Sequence, residues 1–361
     1  EKIQSMCCFY TTRVLLCNYP LVQIDIPEVV VVKHLINDRA TLVEEMLEGL
    51  VCAYQGTVIK VPDVNGIVKC HIEEGKVALL VGGGSGHEPI YHGLVGKNMA
   101  DAAAVGNIFA SPNPRVIYET AKACQRGNGV LFLYGNYAGD VMNFDIAAEM
   151  LHEDGIRVRT VVINDDVATQ DKENRRGISG LFFAVKIAGS VCASVKDLDA
   201  VAEIVQKAVD RTRSMGTAFE AGTMLNTGQP TFTLQPDEIE IGMGIHGEPG
   251  VEVAKTKPAK QLIQIMLKRI LSDLPFKRGD EVAVLLNDLG SVTNMELCIA
   301  NKTVAEVLSE AGLLTLYTHI GKVSTTMDMR GFSISLIQLD DELKQYFFAD
   351  ANSLAFDFHR S

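Results

Sequence analysis

Apolar positions along the chain fall into two alternating rhythms. From Leu35 to Tyr54 ("LINDRATLVEEMLEGLVCAY"), Leu42, Val43, Met46, Leu47, Leu50 and Val51 recur at the three- and four-residue spacing of a helix, with Asn37 or Asp38 available as its cap. "KVALLVGGG" (76–84) is a short unbroken apolar run ending in glycines, the mark of a strand covered on both faces. The pattern then repeats. Strand-like "ADAAAVGNIFASPNP" (100–114) closes in a turn, "RVIYETAKACQRGNG" (115–129) reads as a helix, "GVLFLYGNYAGD" (129–140) as a strand and loop, "VMNFDIAAEMLHEDG" (141–155) as a helix and "IRVRTVVINDDVAT" (156–169) as a strand. This alternation predicts an α/β protein with mostly parallel or mixed sheets flanked by helices.

Residues 177–216 read as one long helical stretch, after which the texture changes. "PTFTLQPDEIEIGMGI" has strand character and "PAKQLIQIMLKRILSDL" is amphipathic. "DEVAVLLNDLGS" is a strand into a turn, "NMELCIANKTVAEVLSEAG" a helix, and "FSISLIQLDDELKQYFF" a strand running into a helix. We expect two packed α/β domains, 32–215 and 216–361, with no long linker between them. Residues 1–31 read as an extension of unknown role. Arg13, Pro20, Asp25 and Pro27 interrupt its apolar character, so it supplies neither the ~20 uninterrupted apolar residues of a membrane span nor the ordered regions of a signal peptide.

Composition narrows the classes. The 361 residues carry a formal charge of −12 with the acids dispersed, which disfavours nucleic acid and anionic membrane as partners. The eight cysteines form no C-x-x-C pair and no Cys/His cluster with zinc spacing, so no metal site is expected. Free thiols in apolar segments fit a reducing, cytoplasmic setting.

In α/β folds ligands gather at loops after strand C-termini. Two such loops place a histidine among glycines: "GGGSGHEP" (82–89) and "GMGIHGEPG" (242–250). The second is formally G-x-G-x-x-G, but no helix follows directly to receive a pyrophosphate. Neither loop has the Lys-Ser/Thr of a P-loop. Turn geometry alone explains glycines. Two glycine turns that carry His87 and His246 also suit a polar ligand lying against backbone amides, with an imidazole placed to bond or attack it. Asp140, in "GNYAGDVMNFD", is either a helix cap, the reading its spacing favours, or a general base for a hydroxyl. "NDD" (164–166) and "NDLGS" (287–291) read as capping segments.

Six separated motifs, "GGGSGHEP", "GNIFASPNP", "YGNYAGDVMNFD", "RRGISG", "GMGIHGEPG" and "GFSISL", resemble in order the substrate-binding subunit of dihydroxyacetone kinase, from about Lys33 to the C-terminus. The resemblance implies a homodimer of two-domain α/β subunits that binds short-chain ketoses such as dihydroxyacetone. It maps a histidine that captures the carbonyl as a hemiaminal onto His246, a hydrogen-bonding histidine onto His87, and the acceptor of the substrate hydroxyl's proton onto Asp140. Gly84 and Ser111 match positions that line the pocket. A neutral imidazole adds to a ketone but not to the alcohol carbon of glycerol, so capture selects ketose over polyol. No cofactor is expected on this chain. The resemblance places ATP, or ADP with Mg recharged by a phosphotransferase relay, on a separate nucleotide-binding subunit.

One position departs from the pattern. Many members carry a substrate-contacting lysine where this chain has Gly135. Loss of that cation opens an alternative, preference for four-carbon erythrulose. It also mildly favours a second, a non-catalytic ketose-binding paralogue that co-activates a transcription regulator. Retention of Asp140 favours a kinase.

Overall fold

The glycine-ended run that begins at Ala78 becomes the central strand of a six-stranded sheet in the computed structural model, which describes residues 34–359. Among these residues the helices are α1 (Leu42–Ala53), α2 (Pro114–Cys124), α3 (Ala138–Glu153), α4 (Leu181–Ser194), α5 (Leu198–Asp210), α6 (Ala259–Asp273), α7 (Asn294–Ala311) and α8 (Asp341–Phe347). The strands of the first half are β1 (Val58–Lys60), β2 (Gly66–Lys69), β3 (Ala78–Ser85), β4 (Gly96–Lys97), β5 (Ala102–Ile108), β6 (Val130–Gly135) and β7 (Val158–Ile163). Those of the second half are β8 (Thr212–Glu220), β9 (Glu238–Ile241), β10 (Glu252–Lys255), β11 (Glu281–Asp288), β12 (Leu314–Gly321), β13 (Arg330–Leu339), β14 (Ala351–Ser353) and β15 (Asp357–Phe358). From His34 on they make one compact unit.

The first sheet runs β1-β2-β5-β3-β6-β7, with β5, β3, β6 and β7 parallel and β1 and β2 antiparallel. Successive residues of its strands enter opposite layers, as the two-residue period requires. Leu79, Val81, Leu131 and Leu133 face α4 and α5, whereas Leu80, Phe132 and Tyr134 face α2 and α3. The chain leaves β3 toward the first layer but leaves β5 and β6 toward the second. Such a reversal opens a crevice beyond the carboxyl ends of the strands.

The second sheet is also six-stranded, ordered β10-β9-β8-β13-β11-β12, and only β11 and β12 are parallel. Val282, Val284, Leu286, Ile334 and Leu336 pack under α6 and α7; Ala283, Leu285 and Ile337 face the core shared with α4 and the first sheet. Helix α4 is therefore enclosed by apolar neighbours, and every residue from Leu181 to Cys192 is buried. A small third sheet joins β15, β14 and β4.

The mixed α/β architecture matches the expectation, with three local differences. The helix expected to follow a cap at Asn37 or Asp38 begins at Leu42. Asp38 accepts from the amide of Ala40 in a turn, and the cap position falls to Thr41. The long helical run breaks at Val195–Asp197, and its end is the strand β8, in which residue 216, the expected domain boundary, lies. A helix buried on every side has no solvent-facing stripe to mark where it ends. The extension 1–31 lies outside the described residues. No helix among the described residues is long and apolar enough to cross a membrane.

Candidate active site

Two turns that share one local device bring the histidines together. After β3, both carboxylate oxygens of Glu88 accept from the amide of Gly86 at 3.0 Å. After β9, Oε2 of Glu248 accepts from the amide of His246 at 2.9 Å. In each turn a glutamate folds back onto the amide two residues earlier, which gives a use for the Glu that stands one or two residues after each histidine. Gly244 is needed for the second turn, because a Cβ there would stand 2.2 Å from Glu248 Oε2. The segment between β12 and β13 stitches the turns to each other. Thr325 donates its amide to His87 O (3.1 Å) and its hydroxyl to Glu88 O (2.9 Å), and the Thr326 hydroxyl donates to Ile245 O (2.7 Å). The two imidazoles meet edge to face, with ring centroids 4.7 Å apart.

The proton positions on both rings follow from their partners. Nδ1 of His87 is 2.7 Å from the carbonyl of Thr325, which can only accept, so Nδ1 carries the hydrogen and Nε2 presents a lone pair. His87 is 1% exposed, and burial with His246 beside it drives its pKa down to about 3, so it stays neutral. Nδ1 of His246 lies 3.2 Å from Oε1 of Glu248. Burial would raise this carboxyl, but the hydrogen bond and charge of His246 outweigh it and hold Glu248 down at about 2. A carboxylate against Nδ1 makes that nitrogen the donor, so Nε2 is the nucleophile in the form of the ring that carries one hydrogen. The His246 side chain keeps 23% of its surface exposed, enough to be reached.

Asp140 is the third sequence-derived residue at the site. It is not the cap that its spacing suggested. Helix α3 starts at Ala138 with Tyr137 at the cap position, and Asp140 sits in the first turn. Its Oδ1 is buried without a hydrogen-bond partner. Burial raises its pKa to about 6 against the opposing pull of the Ser111 hydroxyl and of His246, so it titrates near neutrality, as a general base must. Ser111 lies on the loop after β5, and its Cβ is 3.6 Å from where a Cβ on Gly139 would stand. That loop folds back onto β3, and a Cβ on Gly84 would be 2.8 Å from the amide nitrogen of Ala110. Gly135 ends β6. A Cβ there would lie 3.2 Å from the Tyr137 ring and 3.4 Å from Gly177 O, so any side chain at 135 would press on Tyr137.

Sequence reading missed several members of this cluster. The Phe109 ring stacks on His87 at 4.8 Å, and the Tyr137 ring meets His246 edge-on at 4.5 Å. The Tyr137 hydroxyl is buried without a hydrogen-bond partner, as is Nε2 of His87. Tyr91, whose φ of 67° is strained for a non-glycine residue, packs against Gly83. Phe109 and Tyr137 stand inside the quoted motifs, where a ring beside each functional residue was the available signal. Thr325 carried none, because it is 238 residues from His87. The "NDD" segment works as a brace and a remote cap. Asp165 accepts from the amides of Ile178 and Gly180 at the start of α4. Asp166 pairs with Arg176, which also donates to Gly242 O at 2.9 Å and Pro249 O at 3.3 Å on either side of His246. In "NDLGS", Asp288 accepts from the amides of Gly290 and Val292 within its own turn, and Thr293 caps α7. No group of three or more His, Cys, Asp or Glu side chains gathers among the described residues in the manner of a metal site.

Comparison with known proteins places the chain in a family. The Dak1 domain model matches residues 48–355. The chain is 44% identical over 316 residues to the dihydroxyacetone-binding subunit DhaK of PTS-dependent dihydroxyacetone kinase 2 from Listeria innocua, covering 86% of this chain and 95% of that protein. It is 37% identical to the L-erythrulose kinase of Pectobacterium atrosepticum, over 90% of this chain but 56% of that one. The crystal structure of the dihydroxyacetone kinase from C. freundii in complex with AMP-PNP and Mg2+ superposes with a TM-score of 0.84 at 29% identity, covering 90% of this chain and 61% of that chain. The chain thus spans nearly all of the separate subunit and little more than half of the two longer kinases.

Proposed function

The chain belongs to the Dak1 domain family, and from that premise we propose that it is the substrate-binding subunit of a short-chain ketose kinase, with dihydroxyacetone as the first candidate substrate. Nε2 of His246 adds to the ketone carbon and holds the substrate as a hemiaminal. Nε2 of His87 accepts a hydrogen bond from the bound molecule. Asp140 accepts the proton of the hydroxyl whose oxygen attacks the incoming phosphoryl group. Gly84, Ser111 and Gly135 line the pocket. The observation that carries the reading is His246 itself: Nδ1 is committed to Glu248, Nε2 makes no bond, and two further orphaned acceptors, His87 Nε2 and Asp140 Oδ1, belong to the same cluster. A regulatory paralogue needs only capture and has no use for a carboxyl held near neutrality. The phosphoryl donor, a nucleotide with its metal, belongs in this reading to a separate partner subunit, recharged through a phosphotransferase relay as the name of the Listeria relative suggests. The working assembly is a cytoplasmic homodimer.

The test is to add dihydroxyacetone labelled with carbon-13 at C2 to the purified protein and to follow that carbon by NMR, alongside intact-protein mass spectrometry. The carbonyl signal is expected to convert to that of a tetrahedral carbon in wild type and to stay unchanged with His246→Ala. A tight complex in which the label keeps its carbonyl signal would overturn the covalent assignment.

Gly135 supports a second reading, erythrulose as the preferred substrate. The position carries neither a side chain nor a charge, so the pocket wall beside Tyr137 is uncharged backbone, and a relative of 37% identity bears the name L-erythrulose kinase. With the partner subunit present, kcat/KM for one erythrulose enantiomer is expected to exceed that for dihydroxyacetone. The reverse order would remove this reading and leave the first intact.

A further inference from the structure

The capture reading is the footing for this inference. As Nε2 of His246 adds to a ketone, negative charge develops on the carbonyl oxygen, and a donor must already be aimed at it. Neither histidine supplies one. His87 holds its hydrogen on Nδ1 toward Thr325 O and offers only a lone pair at Nε2. His246 holds its hydrogen on Nδ1 toward Glu248 and uses Nε2 as the nucleophile. Asp140 accepts. The Ser111 hydroxyl is turned toward Asp140 and Pro112 O, and the Tyr91 hydroxyl is pressed against Gly83. Two buried hydroxyls without a partner lie near the turn: Thr231, which stands against Gly247, and Tyr137, whose ring contacts His246 and whose O–H is free to donate.

Its position is built rather than incidental. The Tyr137 ring stands edge-on to His246 at an interplanar angle of 83°, and its amide is anchored to Gly135 O at 2.8 Å where α3 begins. Burial, with the charges of Glu248 and Asp166 nearby, holds the phenol well above its usual range, so it stays protonated across the physiological interval. A buried hydroxyl without a partner is costly to keep, and a site that uses it gives a reason for its presence.

We propose that Tyr137 is a catalytic residue for carbonyl capture, donating to the ketone oxygen as His246 attacks. The bond that forms joins Nε2 to the carbonyl carbon, and the π pair of C=O moves to oxygen. That oxygen takes the Tyr137 proton. The phenolate is reprotonated to the phenol by the proton that His246 Nδ1 gives up through the Glu248 carboxylate bonded to it, so the net change is one proton moved from Nδ1 to the ketone oxygen. Nothing else is consumed, and release of the ketose reverses each movement.

The test compares wild type with Tyr137→Phe, which keeps the ring and its packing. For Tyr137→Phe the equilibrium constant of the adduct, read from the same carbon-13 signal, is expected to fall 10- to 100-fold and adduct formation to slow in step. KM should rise far more than kcat falls at saturation, and Tm should be unchanged or higher. A purely structural tyrosine would instead lower Tm and leave the adduct constant within twofold of wild type. An adduct constant and rate within twofold of wild type would overturn the role of Tyr137 while leaving capture by His246 standing. Absence of an adduct in wild type would overturn the capture reading and this inference with it.

Discussion

Asp140 is held where a carboxylate is least stable. It is buried, one oxygen has no partner, and its pKa is lifted from 3.8 to about 6. A lift of that size leaves the native carboxylate about 3 kcal/mol uphill relative to the unfolded chain at alkaline pH. The sign follows from the folded pKa being the higher one. The native state binds the proton first, so stability rises as pH falls through 6 toward 4 and is lowest above 6, where a general base must work. Asp140→Asn is therefore expected to lower turnover by at least ~100-fold and yet to raise thermal stability at pH 8. The acidic limb of the wild-type kcat/KM profile should have an apparent pKa near 6. Thermal melts of both proteins at pH 5 and pH 8 check the stability half, and the gain should shrink at pH 5. A variant less stable than wild type at pH 8 would mean that the carboxylate is satisfied in the native protein.

Legibility differed between elements for physical reasons. Strands β3, β5, β6 and β7, with helices α2 and α3, were legible because each is a short apolar run or helical repeat bounded by turn residues; Asn113 and Pro114 at the start of α2 are an example. The boundary between α5 and β8 was not. Residues 212–220 ("TRSMGTAFE") carry no apolar alternation, their one stop signal, Gly216, falls inside the strand, and what makes them a strand is pairing with β13 from more than a hundred residues away. Helix α4 was recognised as a helix but not ended correctly, because burial on all sides removes the polar stripe that marks length. The site followed the same rule. His87, His246 and Asp140 stand in glycine-rich ends of elements that the chain announces locally. Thr325 and Thr326, which hold the two histidine turns in register, are recruited by backbone carbonyls distant in sequence.

Across the whole molecule, two of the recognised motifs serve to join the sheets, and the first of them also reaches the histidine turn. Ser179, from "RRGISG", bonds Ser333, from "GFSISL", at 2.6 Å, and Ser214 bonds Ser335 at 2.6 Å, a buried hydroxyl network between the start of α4 and the second sheet. Arg176, from the first of these motifs, reaches from the loop after β7 to both ends of the His246 turn. Its partner Asp166 is fully buried, and burial lifts that carboxyl to about 7 even with the guanidinium beside it. Arg176→Met removes the opposing charge and leaves the carboxylate uncompensated, a change that typically costs about 3 kcal/mol or more. The folded pKa of Asp166 already exceeds its unfolded value, and the variant raises it further. The full loss is therefore expected only at alkaline pH, above the raised folded value in the variant; about half of it is present at pH 8, and it all but disappears below pH 7, where both proteins hold the carboxyl protonated. Adding Asp166→Asn should restore most of the stability at pH 8 without restoring the brace on the turn, so KM for the ketose stays high in the double variant. Denaturant melts of the two single variants, the double variant and wild type at pH 6 and pH 8, with KM measured for each, separate the charge from the brace. Full recovery of KM along with stability would show that Arg176 acts only by neutralising Asp166, with no part in positioning His246.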